Sequence, residues 1–140
     1  GQVAQPALPY AMVNASDATV TPNDVVPFNN VVSSRGIVWD TSAYSFTVPV
    51  TGIYSFSGNV LLNANRDYVF WAVADGSGSI LQGSKLVIAH GASASFTSAS
   101  GSCLASLKAS SSYKIIFNDS TGSSVSMSGT QTFMDIHLVG

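Results

Sequence analysis

Few residue types in this chain could carry reaction or metal chemistry. His90 and His137 are the two histidines, and no HxH, HExxH or Cys/His spacing gathers them into a metal-binding set. His137 shares an alternating face with Asp135, which reads as a solvent or interface pair ahead of a metal fragment. His90, just before Gly91, is expected to be exposed at a strand end. All seven acids are aspartates, scattered mainly through turns, so the paired carboxylates of glycosidic chemistry have no candidate. Asp24, Asp75 and Asp119 fall in turn sequences, where an aspartate caps backbone amides. Turn carbonyls beside them could also serve calcium, although no EF-hand spacing is present. Serine is abundant, but no Gly-x-Ser-x-Gly elbow leads into a helix. No catalytic residue is expected.

The composition is consistent with that. Hydrophobic residues make up 46 % and charged residues 9 % of 140, with a formal net charge of −2. So little charge leaves little repulsion against association, and burial of part of the surface in an oligomer is the economical explanation. No Lys/Arg cluster offers a phosphate-tracking surface, so nucleic acid is not an expected partner. No apolar run approaches the roughly 20 residues of a spanning helix, and no basic segment followed by an apolar one opens the chain, so membrane insertion is not expected. Cys103 is the single cysteine; its apolar neighbours mark it as a small buried hydrophobe rather than a reactive thiol.

The elements that would position any site are strands. Residues 1–7 read as a lead-in and 8–140 as one domain. Residues 46–62 organise it: Phe46 and Val48 share one face, Pro49 to Gly52 makes a corner, and Tyr54, Phe56, Gly58, Val60 and Leu62 then share one face of a longer strand. Before it come a strand over 8–13, a polar connector over 14–23, an apolar stretch over 25–32 held to an edge by Pro27, a turn over 33–36, and a strand over 37–39. After it, residues 67–74 form an aromatic strand, Asp75-Gly76-Ser77-Gly78 a hairpin turn, and 79–90 a strand bulged at Gly83. A long strand region follows over 92–107, loose around 98–102. Residues 113–118 alternate again, 119–124 turn, and 125–127 and 132–139 close the chain. The apolar closing strand is expected in the middle of a sheet. Both faces of 67–74 are apolar: Val69, Trp71 and Val73 alternate with Tyr68, Phe70 and Ala72. One set is expected in the core and the other at a subunit interface, the alternative being that loops of the same subunit cover it. Core or interface candidates are Tyr54, Phe56, Tyr68, Phe70, Trp71, Tyr113, Phe117, Phe133, Met134, Ile136 and Leu138.

Phe28, Trp39, Phe46, Gly52, Tyr54 and Phe56 resemble the signature of the complement C1q and tumour-necrosis-factor superfamily. Ser34 stands where that pattern has Asn or Asp, and Gly58 where it has an aromatic. Residues 26–31 (VPFNNV) are similar to the opening of C1q-like heads on bacterial spore filaments and phage fibres. The resemblance implies an all-β, ten-stranded, two-sheet jelly roll assembled as a homotrimer. It implies a non-enzymatic head, extracellular or on a virion, spore or cell surface, that binds a glycan or surface protein through its loops or apex. An upstream stalk or collagen-like segment and calcium at threefold-related loops are compatible with it. A trimerisation, capping or particle-decoration role without a ligand is the competing expectation. The sequons at Asn14 and Asn118 matter only in a secreted eukaryotic protein.

Overall fold

A computed structural model describes residues 8–89 and 95–140. Its strands are β1 (Tyr10–Asn14), β2 (Ala18–Val20), β3 (Asp24–Val25), β4 (Asn30–Arg35), β5 (Val38–Asp40), β6 (Ser45–Thr47), β7 (Gly52–Leu62), β8 (Tyr68–Asp75), β9 (Ile80–Ala89), β10 (Thr97–Leu107), β11 (Ser112–Asp119), β12 (Val125–Met127) and β13 (Phe133–Leu138). No helix occurs among the described residues. They form a two-sheet jelly roll, with thirteen strands where ten are expected. The lead-in over 1–7 and His90 lie outside the described residues.

One sheet runs β2-β12-β7-β13-β1-β4, with β10 also on β7; the other runs β5-β6-β11-β8-β9, with β3 also on β11. A strand has two edges. Because β10 pairs with β7 from Gly52 to Leu62, β13 and β12 must share the opposite edge of β7 end to end. For the same reason β6 and β3 share one edge of β11, since β8 takes the other. The sandwich therefore carries a broken edge on one flank and long, continuous strands, β9 and β10, on the other.

The corner at Pro49 to Gly52 carries the chain from one sheet to the other. The Tyr54 hydroxyl donates to the Val50 carbonyl at 2.7 Å and the Ser110 amide to the Val48 carbonyl at 3.0 Å. Gly52 is required by packing, because a Cβ there would sit 2.8 Å from the Gly140 carbonyl oxygen and 2.9 Å from Leu138 Cδ1. The alternation in β7 turns Tyr54, Phe56, Val60 and Leu62 inward, against Val69, Trp71, Val73, Ile115 and Phe117 of the facing sheet. β13 lies between β7 and β1, as the apolar closing segment requires.

Several boundaries differ from the sequence reading. The polar connector over 14–23 contains β2, which pairs with β12. The stretch 25–32 is broken, with Pro27 between β3 and β4, and β4 runs through 33–35 so that the turn falls at Gly36 with φ 76°. The segment 98–102 is not loose: each of its residues is paired with β7. Gly83, with φ 80°, does bend β9.

Candidate functional site

The three candidate calcium aspartates do not converge. Asp75 lies at the end of the sandwich where Tyr113 opposes it, whereas Asp119 closes the far end of the same strand β11 and Asp24 pairs beside it there. Asp75 Oδ1 accepts hydrogen bonds from the Ser77 and Ser79 amides and the Ser77 hydroxyl, at 2.6–3.0 Å, and these hold its pKa below the ordinary aspartate value. Asp24 Oδ1 accepts from the Val25 amide at 2.7 Å. No group of three or more His, Cys, Asp or Glu side chains suited to a metal occurs among the described residues.

Asp119 is fully covered and is paired with Arg66, whose Nε donates to its Oδ2 at 2.7 Å. Burial pushes its pKa up, but the Gly122 and Thr121 amides, the Arg66 guanidinium and the Thr121 hydroxyl outweigh burial and hold it below the ordinary value. Thr97 extends the network: its hydroxyl donates to the Ala64 carbonyl and accepts from the Arg66 amide, both at 2.8 Å. The tie joins the 63–67 and 119–124 turns to the start of β10. A folded-state pKa below the unfolded value adds stability above the unfolded pKa, near 3.8, that is lost as pH falls through the folded one. Asp119→Ala, which strands a largely buried Arg66, is expected to cost about 3 kcal/mol at pH 7. Denaturant melts should show that difference shrinking as pH falls below about 4. A difference that stays constant down to pH 2 would show that the charge plays no part.

Asp135 and His137 do share the outer face of β13, between β1 and β7, with Asp135 half-buried and His137 exposed. Cys103 is half-buried; burial pushes its thiol up to about 11 and its Sγ donates to the Ser84 carbonyl at 3.4 Å, so it is a packing residue. Asn14 accepts from Asn30 Nδ2 on the sheet surface, and Asn118 caps the Asp119 amide.

Four of the signature residues, Phe28, Trp39, Phe46 and Phe56, form one aromatic ladder. Trp39 meets Phe28 edge-on at 5.9 Å and stacks on Phe46 at 4.9 Å, and its Nε1 donates to the Phe28 carbonyl. Phe46 in turn contacts Phe56 and Tyr113. Tyr54, Phe56, Trp71, Tyr113, Phe117, Met134 and Ile136 are core residues, and Leu138 packs against that core half-buried. The second face of β8 is closed within the chain: Phe70, Ala72, Ala74 and Ile116 make a separate buried cluster, and Lys85 Nζ lies 4.1 Å from the Phe70 ring centroid. No neighbouring copy is needed to cover Phe70 or Ala72. Tyr68 stays exposed.

Exposed apolar side chains stand on the outer faces of both sheets: Tyr68, Ile80 and Val87 on the six-stranded one, and a further set on the seven-stranded one. Met12 (42 % exposed), Phe133 (39 %), Leu104 (54 %) and Ile53 project there, interleaved with Ser55, Ser57, Ser100, Ser102 and Ser106. Small side chains on such a face permit close approach by a second surface. A different feature lies at the broken edge: a cleft of about 330 Å³, lined among others by Thr19, Val20, Asp24, Val25, Pro27 and Tyr44. Of these, the sequence singles out Asp24 as a candidate ligand residue and Pro27 only as an edge marker. Thr19 and Tyr44 come from segments far apart in the chain, and no short-range pattern joins them.

A model of the C1q domain matches residues 10–133. No curated protein matches the chain. Among solved structures, the chain is similar to the globular domain of zebrafish complement 1qA protein, with TM-score 0.68 and 16 % identity over 94 % of this chain and 98 % of that one. It is similar to murine APRIL at pH 8.0, with TM-score 0.67 and 15 % identity over 95 % and 100 %. It also resembles the Eiger TNF of S. frugiperda, with TM-score 0.63 and 11 % identity over 95 % and 93 %.

Proposed function

The chain belongs to the C1q domain family, and on that premise we propose that it is a non-enzymatic recognition head that works as a homotrimer outside the cell or on a virion, spore or cell surface. The observation that carries this is the outer face of the seven-stranded sheet. It presents Met12, Phe133, Leu104 and Ile53 among serines, with Arg35, Asp135 and His137 as its few ionisable groups. Apolar side chains grouped on one sheet face mark an interaction surface. A face built from paired strands is rigid enough to pack closely against a copy. The turns at the end that carries Arg66 and Asp119 remain free for a glycan or a surface protein. Pro9 and Gly140 lie at the opposite end, where Pro9 accepts from Leu138 and Gly140 accepts from Ile53.

Light scattering should return a mass three times that of the 14.5 kDa chain. Phe133→Asp, which sets a charge among the exposed apolar side chains of that face, should return the mass of a single folded chain. A wild-type monomer at micromolar concentration would overturn the assembly. The serine-covered outer side of β10 favours a second reading, a capping domain without a ligand. A stable trimer that captures no glycan or surface protein would select it.

A further inference from the structure

We propose that the cleft at the broken edge is a binding site for a neutral sugar, with Asp24 accepting from sugar hydroxyls and Tyr44 supporting an apolar sugar face. This rests on the recognition reading and gives it a ligand class. The edge of the six-stranded sheet is discontinuous here. On β11 the pairing with β6 stops at Lys114 and the pairing with β3 begins at Ile116, and the short edge strand β2 of the facing sheet lies across the gap. The resulting space, about 330 Å³, falls at the lower end of the roughly 300–1,000 Å³ of small-ligand sites.

Its lining suits a polyol. Asp24 uses Oδ1 on its neighbour's amide, while Oδ2 has no hydrogen-bond partner among the described residues. The Thr19 and Tyr44 hydroxyls are also without partners there, and Val20, Val25 and Pro27 supply apolar wall. A single carboxylate with one oxygen already engaged is too poor a set for calcium, which takes roughly six to eight oxygens. An acidic sugar would be repelled by Asp24. Tyr44 is held at φ 57°, a conformation that bulky residues rarely adopt, so its placement in the cleft wall opposes local backbone preference. The edge faces away from β10, and the pocket includes none of the outer-face residues proposed for the trimer.

The test is saturation-transfer NMR on the intact protein with glucose, galactose, mannose and N-acetylglucosamine, each with wild type, Asp24→Ala and Tyr44→Gly. At least one sugar should bind wild type, and each substitution should weaken it tenfold or more. Tyr44→Gly should at the same time leave Tm unchanged or raise it, because glycine relieves the backbone. Binding undiminished by both substitutions places the sugar elsewhere, which overturns the cleft and keeps the recognition reading. Silence from all four sugars overturns the inference, while the trimer is judged separately by mass. Wild-type binding that vanishes in EDTA also overturns it, because a cation and not Asp24 would then hold the sugar.

Discussion

A chain cut after Gln131 is expected to lose its cooperative thermal transition altogether. The cut removes β13, which pairs on both sides, from Tyr10–Asn14 to its partner strand and from Tyr54 to Asn59 along β7. Met134 and Ile136 leave the core with it, each contributing roughly 1.5–3 kcal/mol of burial. Two ladders of backbone groups lose their partners, and Ala11, Tyr54 and Phe56 lose their cover. The corner also loses the Val139 and Gly140 amides bonded to the Ile53 carbonyl. Against a total stability of about 5–15 kcal/mol for a domain of this size, those losses leave no folded state. Circular dichroism during heating decides the matter. A soluble truncated chain that melts in one sharp transition would show that the closing strand is dispensable.

What was legible in the sequence followed from short-range periodicity and turn chemistry. The period-two pattern from Tyr54 to Leu62, the corner before it and the Asp75-Gly76 hairpin each depend on residues within a few positions of one another. What was hidden depends on tertiary context. The segment 98–102 looked loose because serine, alanine and glycine have weak strand preference, yet its backbone is bonded along β7 regardless of side chain. Both faces of β8 were visibly apolar, but not what covers the second: Lys85 sets its ammonium over the Phe70 ring, a cation–π cover that a polar letter in the sequence conceals. The cleft was invisible except for Asp24. Its walls come from β2, β3, Pro27 and Tyr44, which only the tertiary fold brings together, and β2, three residues inside a polar stretch, gives too short an alternation to detect.

Gly58 supports the second large prediction. The family pattern places an aromatic here, and restoring one is expected to destabilise this chain by about 3 kcal/mol or more. In this fold Met134 opposes Gly58 across the β7–β13 ladder and fills the vacant volume: a Cβ on Gly58 would stand 2.9 Å from both Met134 Sδ and Cε. It would also collide with the Phe133 carbonyl oxygen, which belongs to the backbone and cannot rotate away. The two obstacles differ in kind, and the experiment separates them. Met134→Ala alone should cost about 2–5 kcal/mol, as a buried truncation does. In the double variant Gly58→Phe with Met134→Ala, the thioether clash is gone and the ring can occupy the freed space. The double should therefore be more stable than the sum of the single losses, by roughly 1–3 kcal/mol of coupling in a denaturant-melt cycle. It should still fall short of wild type, because the Phe133 carbonyl remains in place. Strict additivity would mean that Met134 does not stand in for the missing aromatic. A Gly58→Phe variant as stable as wild type would mean that the two strands separate more easily than their pairing indicates.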